Sequence, residues 1–118
     1  MKSLGFIGKL LFALPMIGFG FGHLTNANAM SGMVPGWLPA SVFWVYLTGV
    51  ALLLAAIAIT INKKAKLATM LLGIMLVLFA LLIHLPGMMG GDQMAMPSFM
   101  KDLALGGAAF FISSHSKD

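Results

Sequence analysis

The fold is decided by residues 33–61, which begin Met33-Val-Pro-Gly-Trp-Leu-Pro-Ala-Ser-Val-Phe-Trp-Val-Tyr-Leu-Thr-Gly49 and continue as an almost unbroken apolar run to Ile61. Proline and glycine break the chain before this run, and tryptophan and tyrosine beside it are typical of the membrane–water interface. Residues 40–61 can cross a hydrocarbon core of ~30 Å as a helix, since a helix rises ~1.5 Å per residue. The sequence therefore predicts an interfacial loop that leads into a membrane-spanning helix.

Composition indicates that lipid is the solvent for the whole chain. The 118 residues fit one domain, residues 1–118, and are 60% hydrophobic and 8% charged, whereas a soluble domain is about 25% charged. The chain has no cysteine, which excludes disulfides, thiol chemistry and cysteine-ligated metal. The net charge of +4 comes from lysines alone. In a membrane protein such charges usually set topology, so nucleic acid is not an expected partner.

Three further apolar segments, at about residues 4–24, 67–85 and 97–113, complete the expected architecture. We predict an all-α fold, an integral membrane bundle of four transmembrane helices. The first segment has a second interpretation, because Lys2, an apolar stretch and Ala27-Asn28-Ala29 together resemble a cleaved signal peptide. The length of this apolar stretch favours a retained span.

Glycine pairs in the first and fourth segments predict close helix contacts. Gly18 and Gly22 form a GxxxG pair, which lets membrane helices approach closely. Gly106 and Gly107 indicate tight packing of the fourth helix in the same way.

Lysine placement predicts the orientation. One side of the predicted bundle carries Lys2, Lys9, Lys63, Lys64, Lys66 and Lys117, and the other carries only Lys101. The positive-inside rule then places both termini in the cytoplasm. We expect a multi-pass protein of the bacterial inner membrane, with the lipid bilayer as its first partner.

Each predicted helix carries a polar residue near its outer end: His23, Tyr46, His84 and Asp102. Ionisable groups in a membrane usually face the bundle interior or water and pair with one another. The sequence therefore predicts an outward-facing polar pocket, with ligand-binding residues His23, Trp37, Tyr46, His84 and Asp102. Each also fits a structural role, since histidine is favourable at a helix C-terminus and aromatic residues at the interface. Asp102 suits the N-terminus of its helix and can pair with a neighbouring lysine. No catalytic residue and no metal ligand is assigned, and haem between two histidines so close to helix ends is disfavoured.

Methionine is concentrated in or beside the two outer loops. The residues concerned are Met30, Met33, Met88, Met89, Met94, Met96 and Met100. Thioethers favour Cu(I), but methionine is more often a flexible apolar filler. A small transporter or copper-handling protein is therefore a minor alternative.

Several short motifs resemble the DoxX-like family of small bacterial membrane proteins. They are Gly22-His23-Leu24, Met33-Val-Pro-Gly-Trp-Leu-Pro39, Phe43-Trp-Val-Tyr-Leu-Thr-Gly49, Lys63-Lys64-x-Lys66, Ile83-His84-Leu85-Pro86 and Lys101-Asp102-Leu103-Ala104-Leu105. The resemblance covers nearly the whole chain and implies a four-helix transmembrane bundle. It also implies a link to quinone-coupled redox systems, with other membrane or redox proteins as partners.

These observations together favour a membrane subunit, or a module that binds quinone or another lipophilic ligand, in a redox system. Quinone is the candidate cofactor. His84 and Asp102 would exchange protons with its oxygens, because imidazole can gain and lose a proton beside a carboxylate. The alternative is a non-catalytic scaffold that stabilises a larger membrane complex through its small-residue faces. Homo-oligomerisation is left open.

Overall fold

The computed structural model describes residues 2–34 and 36–116, and within these ranges it contains helices, turns and loops but no strand. The helices are α1 (Lys2–Thr25), α2 (Ala27–Met30) with a 3-10 turn (Ser31–Met33), α3 (Ser41–Ile61), α4 (Ala65–Phe79) with a π-helical turn (Ala80–His84), α5 (Leu85–Met89) and α6 (Ala95–Ser114). The predicted all-α class is confirmed. Lys117, which contributed to the predicted orientation, lies outside the described residues.

Three helical segments are long and apolar enough to cross a membrane: Ser3–Thr25, Ser41–Ile61 and Ala65–Met89. Their large apolar side chains are widely exposed, with Leu11 at 65% and Leu54 at 60%. Such surfaces are unfavourable in water and suit lipid, which indicates a membrane protein. The fourth predicted span forms α6, which is of similar length but is not among these three segments.

The helices form two hairpins. The first pairs α1 with α3 and the second pairs α4 with α6, while the contacts between α3 and α4 are sparser. Asn62 ends α3 in the left-handed region, with φ 57°, a conformation that asparagine tolerates better than most residues. The core between the hairpins is built from Ala13, Met16, Leu52, Ala55, Ala56, Ile59, Leu72, Leu76 and Ala109.

A close glycine contact holds each hairpin together. A Cβ added to Gly20 on α1 would lie 2.7 Å from Cγ of Leu53 and 3.0 Å from the carbonyl oxygen of Gly49 on α3. In the second hairpin, a Cβ on Gly73 would lie 3.1 Å from the carbonyl oxygen of Gly106. Only glycine allows backbones to approach this closely.

The close helix contacts predicted for particular glycines are partly wrong. A Cβ at Gly18, Gly22 or Gly107 would meet no atom within 4 Å. Gly20, midway between the GxxxG pair, makes the contact with α3 instead. Gly18 and Gly22 lie two residues away from Gly20 along α1, so they fall about 200° around the helix from it. The predicted role of Gly106 is confirmed.

The third helical segment runs beyond residue 85, where the sequence predicted its end, and continues to Met89. Pro86 has no N–H to donate to the carbonyl of Leu82, and its ring would clash with that carbonyl in a regular helix. The chain inserts one extra residue instead, and the N–H of Leu85 donates to the carbonyl of Ala80. His84 is the last residue of this π-helical turn.

Candidate functional site

A cleft of about 730 Å³ lies between the two hairpins, within the usual range of small-molecule sites. Its walls are almost entirely apolar, with Leu52 and Ala55 from α3 and Leu72, Leu76 and Phe79 from α4. Its polar lining is concentrated at one end of the bundle, next to residues 26–40 and 90–94. We call this the loop end. The opposite end, next to the turn at residues 62–64, is called the turn end.

His84 and Asp102 form a close, largely buried pair at the loop end of the cleft. Nε2 of His84, on the π-helical turn, lies 3.0 Å from Oδ2 of Asp102 on α6, and the two side chains are 12% and 6% exposed. With the carboxylate ionised, Nε2–H donates to it, so a neutral His84 ring keeps Nδ1 as a free acceptor. The structure thus brings together two residues that the sequence singled out on different helices.

Lys101 completes this polar group, and its contact with Asp102 is the structural alternative that the sequence offered for this carboxylate. Its Nζ lies 3.8 Å from Oδ1 of Asp102 and 4.9 Å from the ring centroid of Phe19 on α1. Lys101 therefore extends from α6 to α1 across the cleft. The sequence shows that Lys101 adjoins Asp102, but nothing in it connects either residue with Phe19.

His23 borders the same cleft. Its Nδ1 lies 2.6 Å from the carbonyl oxygen of Phe19. Because a carbonyl can only accept, Nδ1 carries the hydrogen and Nε2 is the acceptor of a neutral ring. The hydrogen bonds between described residues do not join His23 to His84 or Asp102, so the three residues share a cavity without forming one network.

Trp37 and Tyr46 are not brought to the cleft. Trp37 is 69% exposed and Tyr46 is 45% exposed, and neither is among the described residues that line the cavity. Trp44 lines it instead, with its Nε1–H donating to the carbonyl oxygen of Pro39 at 2.8 Å. Two helical positions correspond to a rotation of about 200°, so Trp44 and Tyr46 lie on nearly opposite sides of α3.

The cleft opens sideways between α3 and α4. The cavity is bordered by Leu47 and Leu54 on α3, by Leu71 and Leu78 on α4, and by Leu82 on the π-helical turn. Each of them is also between 43% and 60% exposed on the outside of the bundle. A ligand can therefore reach the cavity from the surroundings of the apolar helices.

The methionines do not gather into one place. Met30 lines the cleft, whereas Met89 and Met94 are 82% and 71% exposed. The side chain of Met33 lies outside the described residues. Within the described chain, no group of three or more His, Asp or Glu side chains is placed to hold a metal ion.

The fold and the cleft define a helical protein of membrane character with an apolar cavity that ends in ionisable groups. Residues 12–89 match the family model for a domain of unknown function (DUF8561), and the chain belongs to this family. The match runs from the middle of α1 to the end of α5, so it includes His23 and His84 but not Asp102. Comparison with curated proteins finds no match, and neither does comparison with solved structures.

The resemblance to the DoxX-like family is therefore wrong. The matching family model is a different one, and the motifs that suggested DoxX were short and mostly apolar. The link to quinone-coupled redox systems depended on that resemblance and loses its support with it. The geometry of the cleft does not depend on it.

Proposed function

We propose that this protein is a four-helix bundle of the bacterial inner membrane that binds a lipophilic ligand in the cleft between its hairpins. The observation that carries the proposal is an apolar cleft of about 730 Å³ that ends at the buried pair of His84 and Asp102. A buried carboxylate is costly unless it is paired. Keeping one at the end of an apolar cavity is easier to explain by ligand binding than by stability.

In this proposal α6 is the fourth membrane span. Its 20 residues cover ~30 Å as a helix, and it packs on α4 through Gly106. Asp102 is paired with His84 and Lys101, which lowers the cost of placing charged groups in a membrane. Lys63, Lys64 and Lys66 lie at or beside the turn end, which supports a cytoplasmic location of that end.

The proposed ligand is an amphiphile with a hydrogen-bond-accepting head. Its chain would lie along the apolar walls, and its head would face Lys101 and the pair of His84 and Asp102. The opening between α3 and α4 would admit it directly from the bilayer. Quinones are the class that we would test first, because their carbonyl oxygens can accept hydrogen bonds from Nζ of Lys101 and from Nδ1 of His84 when that nitrogen carries a proton.

Trp44 provides a direct test, because it lines the cleft whereas Trp37 does not. A Trp37→Phe variant has Trp44 as its one tryptophan, and we expect menaquinone or ubiquinone to quench its fluorescence in a saturable manner. Ala51→Phe, which fills the cleft, should abolish saturation. Ala104→Phe, the same change at an exposed position of α6 outside the cleft, should not. Equal quenching in both variants would contradict binding in the cleft.

A second candidate function is a membrane scaffold. Gly18 and Gly22 face open space on α1, and such a face can receive a helix of another membrane protein. In this case a Gly18→Leu/Gly22→Leu variant would lose its partners on gentle extraction from native membranes, while Ala104→Leu would retain them. Unchanged association in both variants would rule out this face.

A further inference from the structure

A second groove lies at the turn end of the bundle, between α1 and α6. It has a volume of about 520 Å³, and its walls include Gly8 and Phe12 on α1 and Phe111 and Ile112 on α6. The groove exists because α1 packs mainly on α3 and α6 packs mainly on α4, so no helix fills the seam between α1 and α6. A Cβ on Gly8 would meet no atom within 4 Å.

Lys9 and His115 border this groove. Lys9 lies about two turns into α1 and is half-buried, yet the ion pairs between described residues do not include it. The two acidic residues that the structure describes, Asp92 and Asp102, both lie at the loop end. An ammonium group at this depth in a membrane is costly without a counter-charge.

His115 supplies a second polar side chain to the groove that Lys9 borders. Its Nδ1 lies 3.1 Å from the carbonyl oxygen of Phe111, and its ring packs on that of Phe111 with centroids 4.4 Å apart. Nδ1 also lies 2.9 Å from Oγ of Ser114, so both of its partners are on α6, and Nε2 is left without a partner among the described residues. The groove thus combines an aromatic apolar wall with two nitrogen-bearing side chains.

We propose that this groove binds an anionic phospholipid of the cytoplasmic leaflet. One acyl chain would lie along Phe12, Phe111 and Ile112 in the space that Gly8 leaves open. The phosphate would contact Nζ of Lys9, which can extend towards the headgroups. It would also accept a hydrogen bond from Nε2 of His115 when that nitrogen carries a proton. Basic pockets between membrane helices on the cytoplasmic side bind such headgroups, and the lysines near residues 62–66 add positive charge at the same end.

This inference rests on the proposed membrane placement and orientation but not on a ligand in the cleft between the hairpins. The two can therefore fail separately. Loss of quinone quenching at Trp44 would leave the lipid groove untouched, and loss of lipid preference would leave the quenching unchanged.

The test is native mass spectrometry of the purified chain in mixed micelles containing equal amounts of dioleoylphosphatidylglycerol and dioleoylphosphatidylcholine. The unmodified chain should retain the phosphatidylglycerol preferentially. Lys9→Gln should reduce this preference about fivefold, the effect of one lysine near a membrane surface. Lys63→Gln removes the same charge from the exposed turn at the same end and should change the preference little. An equal reduction in both variants would show diffuse attraction and overturn the proposed site.

A second pair of variants tests the acyl-chain position without changing charge. Gly8→Leu should displace bound phosphatidylglycerol by filling the groove. Gly18→Leu, at another open position of the same helix, should not. Both are expected to fold, since neither added side chain meets the rest of the chain at its Cβ. Retention of the lipid by Gly8→Leu to the same extent as by the unmodified chain would also overturn the proposal.

Discussion

Gly20 and Gly49 approach so closely that a Cβ added to either one would lie 3.0 Å from the carbonyl oxygen of the other. This contact joins α1 to α3 at the level of His23, whose Cβ would lie 2.9 Å from a Cβ on Gly49. The position of His23 beside the cleft therefore depends on two residues that have no side chain. Steric exclusion at this crossing is the simplest property of the fold to test.

Gly20→Ala should destabilise the protein by about 1–3 kcal/mol, the usual cost of overpacking a close contact. The added methyl must displace Leu53 or separate α1 from α3. Gly18→Ala, on the open face of the same helix, should be neutral or slightly stabilising because alanine favours helix. Thermal unfolding in detergent measures both, and equal melting temperatures for the two variants would contradict the observed packing.

Asp102→Ala should destabilise the bundle by about 1–3 kcal/mol, because it leaves the Nε2–H of His84 buried without its acceptor. Asp102→Asn keeps a carbonyl oxygen that can accept from His84 and should cost less. The measurement is again thermal unfolding in detergent. If the two variants lost equal stability, a hydrogen bond from His84 to Asp102 would not explain the burial of the carboxylate.

Pro86→Ala should weaken the contact between His84 and Asp102, although position 86 is not part of that pair. Restoring an N–H at position 86 allows regular pairing with the carbonyl of Leu82. The π-helical turn would then become regular α-helix. Because a π-helical turn holds one residue more than an α-helical turn, this conversion would rotate the face that carries His84 by about 100°. In a double-mutant cycle, Asp102→Ala should therefore cost clearly less in the Pro86→Ala background. Strictly additive losses would show that the π-helical turn does not position His84.

The orientation can be determined with single cysteines, since the natural chain has none. Ala29→Cys lies exposed at the loop end and should react with a membrane-impermeant maleimide in intact cells. Asn62→Cys lies exposed at the turn end and should react only after lysis. The reverse pattern would invert the proposed topology and would place the groove of Lys9 and His115 in the outer leaflet.

Much of the candidate site could be predicted because depth in a membrane is encoded in the order of the chain. His84 lies near the C-terminal end of the third predicted helix and Asp102 near the N-terminal end of the fourth, and antiparallel packing brings these two ends to one level. The two residues do meet in the structure. Their predicted role in ligand binding, like that of His23, stays a prediction. The DoxX-like resemblance was wrong because the motifs behind it are short and mostly apolar. Such motifs indicate membrane helices in general rather than one family.

The sequence by itself determined the helical segments, their apolar character and the ends at which polar residues gather, because these follow from local composition and chain order. Only the tertiary structure decided which side of each helix faces inward. In the structure Gly20, rather than Gly18 or Gly22, contacts α3. Trp44 rather than Tyr46 lines the cleft, and Nζ of Lys101 lies over the ring of Phe19. The physical reason is that all sides of these helices are apolar. Hydropathy therefore leaves their rotation free, and the fit of side chains from distant parts of the chain determines it.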